Sequence, residues 1–488
     1  MLNLAHRVLN LALDLTASQP PSAQNEPAEA IIEDLPHPLE QKRRGLRQEA
    51  VTQVVNGEAK PVERGPSTVL RVGRQPDIDA GGDTRRLMDR QRSRSQYVEL
   101  ARETTDRMFV VLAEFGDERA PDYPDQDTDP NTPGPVRFDG PDHNEIPKPD
   151  RSVDNSTIWQ PDYDRAHYEQ VYFGEGDDVE SVKEYYERQS SGRYSIDGPV
   201  TDWVKVRYNQ ARYGRSGGFP CASIVCSNTW DLLAEAVDQW VADKQAAGMT
   251  DDEIAAELAT FDEWDRYDFD GDGNFNERDG YINHFQIVRA GGDEADGDPI
   301  YGEDAIWSHR WYAFFNGIGQ QGPDGNPLGG TEIGDTGVWI GDYTIQPENG
   351  GLGVFVHEYG HDLDHYYLAS YRAYLSYDRY LRTGPYNFGF APEKPDLVEH
   401  FPYQDGLLVS YWDTSQSDNN TSQHPGEGLN GQPSWVRGRR AQPVFNDRRS
   451  YWDAEQPNVG VKVPNAGVRI RVQRQRKQSM RIRIGSTN

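Results

Sequence analysis

Cysteine is nearly absent: 488 residues contain two, Cys221 and Cys226. That excludes a disulfide-stapled scaffold, and it excludes a zinc knuckle, which needs two more ligands at close spacing. A short-loop disulfide between the two is expected in an oxidising compartment, with two buried free thiols as the other reading. Long apolar runs are missing too. None reaches the ~18–20 residues that span a bilayer, so no membrane span is expected. Apolar residues make up only 35%, against a usual ~45–50% on a slightly broader count that includes Gly, which fits folded domains joined by long polar loops. Positive charge is in short supply, 50 Lys and Arg against 80 Asp and Glu, for a net charge of -30. A nucleic-acid partner is therefore excluded, because phosphates repel such a surface. The shortage is uneven. From Trp435 onward 13 Arg or Lys face three acids, so the tail is basic and the middle strongly acidic.

The chain has room for two to four domains at about 100–200 residues each. Met1 to Thr16 is apolar but interrupted by His6, Arg7, Asn10 and Asp14, which makes a poor signal peptide. Residues 1–36 read as a disordered N-terminal segment rich in Pro, Ala, Glu and Ser. A helix is expected from Leu39 to Asn56, followed by a basic, turn-rich stretch to about Gln96. Met108 to Phe115 (MFVVLAEF) is a continuous apolar run, the mark of a strand buried on both faces. Further expected elements are a helix over Glu180–Ser190, a strand over Ser195–Val206, helices over Trp230–Ala247 and Asp251–Leu258, and strands over Tyr281–Arg289 and Gly337–Ile345. Alternation of this kind points to an α/β unit. Near the end, Val468–Val472 and Met480–Ile484 alternate apolar with Arg and predict a hairpin turning near Lys477–Ser479.

The most informative run is Val354-Phe355-Val356-His357-Glu358-Tyr359-Gly360-His361. His357 and His361 are four apart, so on a helix they stand one turn apart on one face and can share a Zn²⁺. Glu358 follows the first ligand, placed to take a proton from the attacking water and return it to the leaving amine. Zinc lowers the pKa of such a water to about 7. The strand before it, around Trp339-Ile340-Gly341-Asp342-Tyr343, or a neighbour, is read either as a rim strand able to pair with an extended substrate or as an ordinary edge strand. His309 is a candidate for steadying an oxyanion, although a core or surface histidine is the more ordinary role.

A second motif runs from Asp268 to Asp279 (DFDGDGNFNERD). It places oxygen ligands at the first, third, fifth, ninth and twelfth positions of a calcium loop, with Gly273 at the sharp turn. The ligands would be Asp268, Asp270, Asp272, the Asn274 backbone carbonyl, Asn276 and Asp279. No pair of flanking helices is evident, so the Ca²⁺ site would brace a loop rather than act as a sensor.

With these residues in view, the chain resembles the immune inhibitor A family of secreted bacterial metallopeptidases. The resemblance is carried by Gly337 to Leu363 with its HEYGHDL helix, by FGDERAPDYPDQDTDPNTPGP from Phe115 to Pro135, and by DNSTIW from Asp154 to Trp159. QSSGRY from Gln189 to Tyr194, the acidic loop and AIWSHRW from Ala305 to Trp311 add to it. It implies an α/β (α+β) zincin-like catalytic domain over 106–363, a latency-conferring pro-segment over 37–105, and a β-rich C-terminal part over 364–488. It also implies Zn²⁺ and Ca²⁺, protein or peptide substrates, and secretion; a monomer is expected.

The resemblance changes character after His361-Asp362-Leu363. Asp364 and Tyr367 stand where the family has Gly and Asp. Tyr366 to Leu381, Gly406 to Thr414 and Asn419 to Gly426 look like a region that lies far downstream in the family. The chain reads as if a middle block were absent, with the join near Leu363 and Asp364. That block would supply the third zinc ligand. Asp364, His365, Glu393, Asp396, Glu399 and His400 are candidates for replacing it, none at a diagnostic spacing. Three readings follow: an active zinc endopeptidase with Glu358 as general base, an inert calcium-binding relic, or a shortened gene model.

Overall fold

The structure, a computed structural model, describes residues 35–361 apart from 36, 77–92, 121–138, 153, 155–156, 177–178, 191, 215–224, 297 and 299. Beyond these it describes six strands between 366 and 486.

At the centre is a six-stranded mixed sheet. Strand β4 (Thr105–Glu114) runs parallel to β5 (Ser195–Asp197), β6 (Val200–Lys205) and β7 (His284–Arg289). Strand β7 is parallel to β11 (Asp342–Pro347), which pairs antiparallel with β8 (His309–Tyr312). The apolar run foreseen around Val110 is β4, and its side chains divide by parity. Phe109, Val111 and Ala113 join one core cluster, Met108, Val110 and Leu112 the other. A strand covered on both faces has no need of polar alternation, which is why this run is continuous. Each large apolar side chain so buried contributes about 1.5–3 kcal/mol.

One face of the sheet is covered by α5 (Asn228–Ala246) and α6 (Asp251–Leu258), through Leu233, Val237, Trp240, Ile254 and Leu258. Helix α6 begins in a capping box made by Thr250 and Glu253. The short α4 (Ala211–Gly214) lies against the start of α5. The other face is covered by α2 (Arg165–Phe173), α3 (Val182–Ser190) and α7 (Gly351–His361), through Tyr168, Tyr172, Val182, Phe355 and Tyr359.

Two expected strands are each divided in two. The run from Ser195 to Val206 becomes β5 and β6. The run from Gly337 to Ile345 becomes β10 (Trp339–Ile340), which pairs with β9 (Thr331–Glu332), and β11. Of the candidates for a rim strand, Asp342 and Tyr343 are interior and a neighbour holds the edge. Strand β11 is flanked by β7 and β8 and is buried throughout, so its backbone is committed on both sides. The outer position next to it belongs to β8.

The N-terminal region contains more strand than its sequence suggested. After α1 (Pro38–Val55) come β1 (Val62–Arg64), β2 (Ser67–Pro76) and β3 (Ser93–Arg102), in an antiparallel sheet interrupted by two register shifts. Leu70, Val72 and Val98 pack on α1, while Val69 and Tyr97 pack on Trp264 and Phe275. A buried ion cluster fastens α1 to the large sheet. Asp342 lies 2.7 Å from Arg310, 3.2 Å from Arg266 and 3.1 Å from His37, and Glu40 lies 3.7 Å from both arginines. Burial alone would raise the Asp342 carboxyl; Arg310, His37 and Arg266 hold it well below the usual range.

Toward the C-terminus, β12 (Tyr366–Arg372), β13 (Gly406–Trp412) and β14 (Tyr451–Trp452) form one antiparallel sheet. A second is formed by β15 (Val461–Val463), β16 (Val468–Arg476) and β17 (Ser479–Ser486). The foreseen hairpin is the β16–β17 ladder, with Ile470 opposite Ile484 and Val472 opposite Ile482.

Candidate metal centres

His357 and Glu358 lie in the last turns of α7, and His361 closes that helix, four residues after His357. The helix is seated by its apolar side. Phe355 contacts the Tyr172 ring at 5.2 Å, and Tyr186 donates a hydrogen bond to the Val356 carbonyl at 2.7 Å. Tyr359 is fully buried, with its hydroxyl bonded to that of Tyr194. These contacts leave the rotation of α7 little freedom.

Burial pushes the His357 imidazole down to about 3, which leaves it neutral at physiological pH. Neutral imidazole is the form that ligates metals. Glu358 is also buried, with a carboxylate oxygen 4.0 Å from the His357 Nε2. A neutral ligand histidine with a carboxylate beside it, and a second histidine one turn on, fit a zinc site. The six candidates for a third ligand lie outside the described residues.

His309 is elsewhere in function. It is buried in β8, with Nδ1 at 2.7 Å from the Trp307 carbonyl and Nε2 at 2.9 Å from the Tyr343 hydroxyl. Both nitrogens serve the core packing, and burial lowers its pKa to about 4. Among the cysteines, Cys226 is disulfide-bonded, and its expected partner Cys221 lies outside the described residues.

The acidic loop brings together some of its expected ligands. Carboxylate oxygens of Asp268, Asp270 and Asp272 lie within 4.8 Å of one another. A second group, Asp265, Asp270 and Glu277, meets the same limit and shares Asp270. Asp265 precedes the motif and Glu277 stands between its ninth and twelfth positions, so the template reads past both. The turn is tight. Gly273 has φ +78, and a Cβ there would come within 2.7 Å of the Tyr97 ring, so only glycine fits. The Gly273 amide donates to Asp268 at 2.7 Å and the Asn274 amide to Asp272 at 2.6 Å. The Asn274 side chain meanwhile bonds Glu277.

Asn276 and Asp279 depart from the calcium-loop expectation. The Asn276 oxygen accepts from Arg102 at 2.7 Å and from Ser67 at 3.2 Å, and its amide donates to the Arg64 carbonyl at 3.0 Å. Both polar atoms of its side chain face the N-terminal sheet. Asp279 accepts from the Tyr281 amide at 2.9 Å and belongs to neither carboxylate group. Burial raises Asp265 to about 7 and Asp268 to about 6, and drives Asp279 well above its ordinary value, with neighbouring carboxylates adding to each. Such carboxylates resist ionising until a cation compensates them.

Comparison with known proteins decides what kind of molecule carries this helix and loop. Residues 94–372, more than half of the chain, match the family described as immune inhibitor A peptidase M6, catalytic domain. The chain belongs to the immune inhibitor A peptidase family. Residues 360–432 match the VEG domain of immune inhibitor A-like metallopeptidases, so the second match begins inside α7. A protein named Immune inhibitor A from Bacillus thuringiensis subsp. alesti is 36% identical over 234 residues, which is 45% of this chain and 30% of that protein. Pre-pro-metalloprotease PrtV of Vibrio cholerae serotype O1 is 37% identical over 213 residues, 41% of this chain and 21% of that protein. The matched stretch thus spans less than a third of either relative. The immune inhibitor A catalytic match starts at residue 94, inside β3, so the strand bearing Glu99 and Arg102 falls within it. Among the described residues no helix is long and apolar enough to cross a membrane.

Proposed function

We propose that this chain is a secreted zinc-dependent endopeptidase that hydrolyses peptide bonds in proteins, with Glu358 as the general base. One observation carries the reading: α7, buried in a family catalytic domain, presents a neutral His357 beside a buried Glu358, with His361 one turn on. Zinc, when bound, supplies a Lewis acid that polarises the scissile carbonyl and makes water acidic enough to attack at neutral pH. His357 and His361 would hold it. Glu358 takes the proton of the attacking water and passes it to the leaving amine nitrogen. Tyr359, Tyr194 and Tyr186 pack together on the helix's inner side.

Calcium belongs to the same proposal. Asp268, Asp270 and Asp272, with Asp265 and Glu277 adjoining, form an oxygen-only donor set suited to a hard cation. The N-terminal region with α1 is read as a pro-segment, secured through the His37, Glu40 and Asp342 cluster. Names of the relatives, a metalloprotease among them, agree with proteolysis.

The test is hydrolysis of unfolded casein by the purified protein at neutral pH with calcium, before and after limited proteolysis. Cleavage that a chelator stops and Glu358→Ala abolishes is expected, and it would place a third ligand after His361. Cleavage no greater than that of the Glu358→Ala control overturns the proposal in favour of an inert relic lacking the middle block.

A further inference from the structure

We propose that Arg102 is a positioning residue that couples the acidic loop to the helix α7. The inference deepens the metallopeptidase reading and rests on it for the role of α7.

Arg102 ends β3, and its guanidinium bridges two acceptors on different elements. Its Nη1 donates to the Asn276 side-chain oxygen at 2.7 Å, and its Nε donates to Asp106 at 3.1 Å. The guanidinium carbon lies over Trp264, 5.2 Å from the ring centroid. The second oxygen of Asp106 accepts from the His284 Nε2 at 3.4 Å. His284 is 1% exposed, and its ring lies 5.2 Å from that of Tyr359, the residue directly after Glu358. The contacts therefore run without a break from the acidic loop through Arg102, Asp106, His284 and Tyr359 into α7. Each joint is buried or nearly so, with Arg102 at 12% and Asp106 at 7% side-chain exposure.

A planar guanidinium can satisfy both acceptors at once and transmit a shift in one to the other. A glutamine there reaches one of them at most. A cation on Asp268, Asp270 and Asp272 orders the segment that carries Asn276, and through Arg102 it restricts Asp106, His284 and the Tyr359 side of α7.

The experiment is backbone hydrogen exchange of the full chain with and without calcium, in the wild type, Arg102→Gln and Arg102→Lys. In the wild type calcium is expected to slow exchange across Gly351–His361 about tenfold, and in Arg102→Gln by less than about twofold. Helix α5, on the opposite face of the sheet, is expected to respond to calcium alike in both proteins. A merely structural arginine would lower protection in α5 and α7 together. Arg102→Lys, which keeps the charge but not the fork, is expected to retain less than half of the increment, and it carries the test where Arg102→Gln fails to fold. An equal α7 increment in wild type and variant overturns the proposal, as does a wild-type α7 that ignores calcium. Zinc content of the same samples judges the metallopeptidase reading separately: a chain without zinc whose α7 still responds through Arg102 sinks that reading and supports the coupling.

Discussion

Helix α7 and the acidic loop were both legible as motifs, yet one was read residue by residue and the other only in part. In α7 the helical repeat sets the relation between His357, Glu358 and His361, and the apolar residues around them face a core that the same repeat predicts. The relation among these three residues needs nothing from outside the helix, whereas a third ligand does. The acidic loop has no repeat of its own. Its side chains are shared out between a cation cluster and the N-terminal sheet, and that sheet lies about 200 residues away in sequence. A template written for a loop between two helices assigns Asn276 to the metal, whereas here Arg64, Ser67 and Arg102 claim it. A regular element carries its geometry with it, while a loop takes geometry from its neighbours.

The comparison can be tested at both ends. The largest effect is expected in α7. Glu358→Gln keeps the volume of the side chain but removes the base, and casein hydrolysis should fall by about 10²–10⁴-fold. Zinc content, measured by atomic absorption, should stay at the wild-type level; loss of the metal would mean that Glu358 helps to build the site rather than move protons. Asp268→Asn comes next. Its calcium affinity, read by titration calorimetry, should fall roughly tenfold or more, since a charged ligand is lost from a small donor set. Asn276→Ala separates the two duties of the loop. Calcium affinity should stay within about twofold, while stability falls by about 1–2 kcal/mol for the part-buried hydrogen bonds to Arg102, Ser67 and Arg64. A large loss of calcium affinity in Asn276→Ala would restore it to the ligand set.

The same division explains what the sequence revealed of the fold. Strand β4 and helices α5 and α6 declare themselves through long apolar runs, clear periodicity and a capping box. Strands β2 and β3 do not. Their segments, STVLRVGRQP and SRSQYVELAR, are laden with Arg, Gln and Ser, and two register shifts break the alternation that marks a strand. Only pairing, with α1 on one face and Trp264 and Phe275 on the other, makes them strands. Which strand takes the rim position is hidden for a related reason. Tyr343, Thr344 and Ile345 look like any β-rich segment, and nothing local says that β8, more than thirty residues earlier, will occupy the flank. Asp265 escaped notice because it precedes the motif and enters the cluster through the chain's turn at Asp268, where φ is +48.

The smallest predicted effect follows from the raised carboxylates of the loop. Asp265 titrates near 7 and Asp268 near 6 in the folded, cation-free protein, both pushed up first by burial. Their unfolded values are about 3.9. A folded value above the unfolded one means that the group's contribution to stability is full below about pH 4 and is lost as pH rises through about 6–7. Calcium binds the ionised form, so it offsets that loss where the loss occurs. The rise in melting temperature on adding calcium should therefore be larger at about pH 7.5 than at about pH 5. Other buried carboxyls, Glu348 among them, titrate in this window too. Glu348 is bonded away from the loop, to the amides of Gly291 and Asn144, and cancels when each pH is compared with and without the cation. Asp265→Asn should flatten the pH dependence of the calcium increment. An increment equal at both pH values in the wild type would mean that the loop's carboxylates are already ionised before calcium arrives, and that burial matters less there than their mutual proximity suggests.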